Sequence, residues 1–219
     1  MSGLLQDLNS QAFTVFGEHI KWSDLIGNLL GLGALALGWR RSVLSWPVQL
    51  LSGLVLVAAY WSADLSGGVG KQLVVIVVSV WGWLQWQRGR RGTGDLAVRF
   101  ATWTERAWLV AGTAVGTVGV ALLFQAYDLS WAPWQDAYLF TGTLAAMVAQ
   151  GRGWVEFWFA WLAVDLVGVP LAFNSGLAFS GLIYIVYFVL VIAGMRSWWL
   201  RSRTAQQLPA TILPKGATA

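Results

Sequence analysis

Asp165 stands in the middle of an otherwise apolar stretch, 154–172, where a carboxyl group is costly unless a partner or a ligand meets it. Two tryptophans precede it in the run Trp158-Phe159-Ala160-Trp161. On a helix Trp158 and Trp161 lie one turn apart, and Asp165 lies one turn further along the same face. An indole offers a π-face and a carboxyl accepts from hydroxyls, so the set suits a flat aromatic ring carrying a polyol. That chemistry is recognition, with no bond made or broken. Asn28, Gln49, Gln72 and Tyr184 add amides and a phenol, each inside its own apolar stretch. The plainer reading of such groups is an interhelical hydrogen bond that holds a bundle together, and for Trp158 and Trp161 it is aromatic packing. Glu156, nine residues before Asp165, sits near a span end where its carboxylate can reach water.

Other chemistries lack their residues. Gly67-Gly68-Val69-Gly70-Lys71-Gln72 is glycine-rich, yet residue 65 is Leu and neither Ser nor Thr follows the lysine, so it is no phosphate loop. His19 is the single histidine and there is no cysteine, so a His- or Cys-based metal or nucleophile site is not expected. A retinal-binding light sensor needs a lysine in its last span, and 176–196 contains none. No cofactor is implied.

The elements that must position these groups are membrane helices. Hydrophobic residues make up 57% of the chain, charged residues 11%, and mean hydropathy is +0.61. Crossing a hydrocarbon core of about 30 Å takes roughly 17–25 helical residues. Seven stretches qualify: 22–39, 45–63, 69–87, 107–126, 136–151, 154–172 and 176–196. The chain reads as an all-α integral membrane protein with a transmembrane domain over 21–203. Residues 4–19 present one apolar face and are expected as an interfacial helix within an N-terminal segment 1–20. The Pro-, Ala- and Thr-containing tail 204–219 is expected to be disordered. Trp22, Trp46, Trp61, Trp86, Trp131, Trp134, Trp198 and Trp199 fall at span ends, where an interfacial aromatic belt would place them.

Charge orients the bundle. The loops after the first, third, fifth and seventh spans and the tail hold twelve of the fourteen Lys and Arg residues; Lys21 and Lys71 are on the other side. That bias puts the amino terminus outside and the carboxyl terminus in the cytoplasm. The arginines flank apolar spans instead of forming a stripe, so the pI near 9.8 does not indicate nucleic acid.

The chain also repeats itself. Shifting it by 112 residues lays 22–86 on 134–198 without a gap. Trp22/Trp134, Asp24/Asp136, Arg40/Arg152, Trp46/Trp158, Gly82/Gly194 and Trp86/Trp198 coincide. A three-span unit repeated directly would be inverted, so the helix at 107–126 restores direction. The expected architecture is 3+1+3: two parallel repeats with a linker helix carrying Gly112 and Gly116. Under this offset Gln72 is equivalent to Tyr184 and Gln49 to Trp161, which suits an asymmetric ligand on a pseudo-two-fold axis.

Several segments together resemble the PnuC family of vitamin transporters across about 20–203. They are Trp46-Pro47, Gln72 with Trp81-Gly82-Trp83 and Trp86, Asp136-Ala137-Tyr138, Trp158 and Trp161 with Asp165, and Gly176 through Tyr184. The resemblance implies facilitated diffusion of a vitamin across a bacterial plasma membrane and a midplane site partly built from the tryptophan pair. It also implies trimers, and trapping of the vitamin by a separate kinase. Trp22-Ser23-Asp24 with Asn28, Gly38 to Ser42, Gly67 to Gln72 and Val98 to Trp103 are most similar to its riboflavin-carrying branch. The expected partners are therefore a small-molecule vitamin and the lipid bilayer. Riboflavin is the expected cargo, nicotinamide riboside the alternative. A membrane protein that binds a lipid or a protein partner through 88–106 and transports nothing is the remoter one.

Overall fold

The computed structural model describes residues 7, 10–15, 17–62, 66–93, 98–174 and 178–207. A short hairpin, β1 (Gln11–Val15) and β2 (Glu18–Lys21), leads into seven helices among the described residues. These are α1 (Trp22–Trp39), α2 (Ser45–Ser62), α3 (Ser66–Thr93), α4 (Trp103–Ala126), α5 (Pro133–Gly151), α6 (Glu156–Asn174) and α7 (Ala178–Gln207). Val69–Gly89, Trp103–Ala126 and Gly181–Leu200 are long and apolar enough to cross a membrane, and Leu25–Trp39 and Ser45–Ala58 are shorter apolar runs.

The offset of 112 reappears as matched geometry. After α1 the chain turns at Arg41 (φ 56°), and after α5 at Gly153 (φ 70°). The amide of Ser42 donates to the Leu37 carbonyl at 2.9 Å, and that of Trp154 to the Ala149 carbonyl at 2.9 Å. Such 6→1 bonds close a helix end whose last carbonyls would otherwise lack donors. Inside the bundle Trp46 covers Gly82 and Trp158 covers Gly194 so closely that a Cβ at either glycine would overlap the indole. Trp46 meets Trp86 edge-on (5.6 Å, 85°), and Trp158 meets Trp198 likewise (6.0 Å, 80°). The Trp86 indole N–H donates to the Gln150 carbonyl at 2.9 Å, and that of Trp198 to the Trp39 carbonyl at 3.0 Å. Accordingly α3 packs on α5, and α7 on α1. Trp46, Trp86 and Trp198 are fully buried. An interfacial belt does not account for them, because their indoles tie helix to helix; Trp22, Trp61, Trp131 and Trp134 are exposed.

Helix α4 starts at a capping box formed by Thr102 and Glu105 and rests mainly on α5, leaving most of its apolar surface outward. Its start is clasped to α6: Glu156 accepts from Arg106 Nε at 2.8 Å and from the Ala101 amide at 2.9 Å. Arg99 Nη1 and Nη2 bind both carboxylate oxygens of Glu105, which raises the arginine's pKa.

Two further expectations need correction. The interfacial helix over 4–19 does not form across 11–15 and 18–19, which are antiparallel strands with Val15 opposite Glu18 and Gly17 (φ 83°) at the turn. The β-branched and aromatic residues Phe13, Thr14, Val15 and Ile20 favour a pleated backbone, and Gly17 supplies the left-handed turn. The tail is not disordered from 204, since α7 continues to Gln207; residues 208–219 lie outside the described ones.

Candidate functional site

Between α1, α2, α3, α5, α6 and α7 lies a cavity of about 680 Å³, within the usual range for a small-molecule site. It is bordered by Asn28, Gln49, Gln72, Trp161, Asp165 and Tyr184, six of the seven residues singled out from sequence. Trp158 is not among the lining residues. Its ring is buried against Phe157, Trp198 and Gly194, away from the space that Trp161 borders.

The lining pairs up under the same offset. Gly27/Leu139, Asn28/Phe140, Gly31/Thr143, Leu35/Met147, Gln49/Trp161, Ser52/Val164, Lys71/Ile183, Gln72/Tyr184 and Val75/Tyr187 each border the cavity from both members. All nine pairs differ in residue type. Gly82/Gly194, which pack helices together, are identical, as are Trp46/Trp158 and Ala34/Ala146, where only the first member borders the cavity; the pairs that border it from both members all differ.

The polar equipment is partly unspent. Ser45 Oγ, Trp46 Nε1, Trp161 Nε1 and Asp165 Oδ2 are buried, belong to lining residues, and have no hydrogen-bond partner among the described residues. A buried polar atom left this way is destabilising by about 1–3 kcal/mol, and a ligand that met it would recover that. Other groups hold the walls. Ser52 Oγ donates to the Gly27 carbonyl at 2.9 Å, joining α2 to α1, and the Tyr187 hydroxyl donates to the Asn28 carbonyl at 3.2 Å, joining α7 to α1. The Tyr187 hydroxyl lies against Gly31, where a Cβ would displace it.

Sequence reasoning missed several lining residues. Lys71, Phe140, Thr143, Gln150 and Tyr187 border the cavity, as do His19 and Ile20 at the end of the hairpin. Four of them, Lys71, Phe140, Thr143 and Tyr187, are repeat mates whose types disagree, but most pairs of the repeat disagree, so the sequence alone did not single them out. No group of three or more His, Asp or Glu residues that could hold a metal occurs among the described residues.

Known proteins show the family of this chain. Residues 21–200 match the family described as "Nicotinamide mononucleotide transporter". The "Riboflavin/roseoflavin transporter RibM" of Streptomyces davaonensis is 61% identical over 199 residues, covering 90% of this chain and 93% of that protein. The "Nicotinamide riboside transporter PnuC" of Escherichia coli is 19% identical over 207 residues, covering 83% of this chain and 87% of that protein. A crystal structure of "the Vitamin B3 transporter PnuC" superposes with a TM-score of 0.66 at 18% identity, over 84% of this chain and 83% of its own, which supports a common fold. The match spans nearly the whole helical bundle, and the chain belongs to the nicotinamide mononucleotide transporter family of membrane proteins.

Proposed function

We propose that this protein carries riboflavin across a bacterial plasma membrane by facilitated diffusion, with Asn28, Gln49, Gln72, Trp161, Asp165 and Tyr184 holding the vitamin in the cavity. One observation carries the reading. Unpartnered Trp161 Nε1 and Asp165 Oδ2 border a space whose two halves differ at nine mirrored positions, as an asymmetric, neutral, hydrogen-bonding ligand requires. Riboflavin offers a flat ring to Trp161 and a ribityl chain to the amides and Asp165. The relative that is 61% identical bears the name of a riboflavin transporter, which supports the same cargo.

In this reading all seven helices span the bilayer as two parallel three-helix repeats joined by α4, the hairpin is outside, and the arginine-rich ends and the carboxyl terminus are cytoplasmic. The matched turns at Arg41 and Gly153 and the matched Trp–Gly contacts support that arrangement. The protein assembles as a trimer, and a separate kinase traps the vitamin inside. Nicotinamide riboside is the alternative cargo, favoured by the Asp165 carboxyl, which could pair with its pyridinium.

Purified protein in vesicles tests the proposal. Labelled riboflavin should equilibrate across the membrane, saturably and without ATP, and should not accumulate above the outside level. Saturable entry of nicotinamide riboside with none of riboflavin would overturn the cargo. Accumulation of unmodified riboflavin under a proton gradient would overturn the mechanism.

A further inference from the structure

Lys71 belongs to the glycine-rich run that fails as a phosphate loop, yet the fold gives it a place in the cavity wall. It sits just over a turn into α3, next to Gln72, and its repeat mate across the cavity is the apolar Ile183. Among the described lining residues it is the one ammonium and Asp165 is the one carboxyl; His19 borders the space from the hairpin. Lys71 makes no hydrogen bond or ion pair among the described residues, and the charge it senses is that of Asp136 on α5, whose Oδ2 accepts from the Ser130 hydroxyl at 2.5 Å.

An isolated cation is costly in an apolar bundle, so a lysine facing the cavity needs a reason. With Lys71 protonated, the two charged groups that line the cavity, Lys71 and Asp165, together carry zero or positive charge whichever state Asp165 adopts; Asp136 is not among the lining residues. Such a space offers a cation no net attraction, whereas one holding Asp165 alone would concentrate cations. Resting on the riboflavin reading, we propose that Lys71 is the residue that sets charge selectivity, admitting neutral ring compounds and repelling fixed cations of similar size. The neutral ligand loses nothing, because its contacts are hydrogen bonds and stacking.

The test compares two competitors of nearly the same shape in vesicles loaded with the purified full chain. Nicotinamide riboside carries a fixed pyridinium charge, and benzamide riboside is its neutral counterpart. Inhibition of labelled riboflavin uptake is read for the wild type, Lys71→Gln and Lys71→Arg, each against its own uncompeted uptake. The wild type should discriminate against the cation by about tenfold or more, the scale of steering by one charge. Lys71→Gln should abolish most of that ratio by admitting the cation, with inhibition by benzamide riboside changed by less than about twofold, and Lys71→Arg should keep it. Equal inhibition by the two competitors in the wild type would overturn the proposal even if Lys71→Gln failed to fold. So would a ratio unmoved by Lys71→Gln, or lost equally in Lys71→Arg. Absence of riboflavin uptake by the wild type would instead overturn the cargo assignment.

Discussion

Gly194 lies directly beneath the Trp158 indole, with no room between them for a methyl group. The glycine is what lets α6 and α7 approach, and the indole fills the space that a larger residue on α7 would otherwise take. Gly194→Ala forces one helix outward, an overpacking change of about 1–3 kcal/mol. Thermal unfolding in detergent should show a clear fall in midpoint for Gly194→Ala and for its mate Gly82→Ala. Gly112→Ala, where an added Cβ meets nothing within 4 Å, should leave the midpoint unchanged. Equal midpoints for all three would remove the packing argument.

Trp161 and Trp158 should separate by phenotype. Trp161→Ala is expected to weaken riboflavin binding by about 1–3 kcal/mol, the scale of an aromatic stacking contact, with the folded bundle retained. Trp158→Ala instead opens a void in the packed interior and should lower stability by about 3–5 kcal/mol. Trp131→Ala, on the exposed turn before α5, should do neither. Fluorescence titration beside a melting curve reads both effects. Loss of binding without loss of stability in Trp158→Ala would return that ring to the site.

Asp165→Asn removes a charge and keeps an oxygen that accepts hydrogen bonds. For a neutral ligand the amide replaces most of the contact, and binding should fall by about 1 kcal/mol or less. A cationic ligand would lose several kcal/mol with its counter-charge. Isothermal titration with riboflavin decides; a loss above about a hundredfold, with folding intact, would show that the carboxylate charge itself holds the ligand.

Glu156 should prove structural. Its carboxylate is the shared acceptor for Arg106 and for the Ala101 amide, so Glu156→Ala leaves a part-buried N–H and a guanidinium without it. The expected cost is about 1–3 kcal/mol, confined to the segment that joins 98–102 to α4. Amide exchange at Ala101 should quicken markedly while exchange across α1 and α2 stays slow. Unchanged protection at Ala101 would mean that the clasp does not hold the loop.

Much of this molecule was legible before folding, because helix-period hydrophobicity and a gapless 112-residue repeat are properties of a linear string. The helical stretches follow from burying apolar surface and satisfying every backbone polar group within the segment. The pairs Trp46/Trp158 and Gly82/Gly194 could be matched in the string, and mismatches such as Gln72/Tyr184 pointed to the cavity. Depth was not legible. Trp158 and Asp165 lie on one face of α6, but seven residues separate them, about 10 Å along the axis. Periodicity assigns a face and says nothing of what occupies the space in front of it at each level. At Trp158 that space is filled by Gly194 and Trp198, and at Asp165 it is open. The hairpin was hidden for a related reason: a short apolar run fits helix and strand equally, and pairing between 11–15 and 18–21 decides. Lys71 was read as a failed motif because its neighbours in sequence are glycines, whereas in space it borders the cavity that Asp165 also lines. Only tertiary contact could put those two charges on the walls of one space.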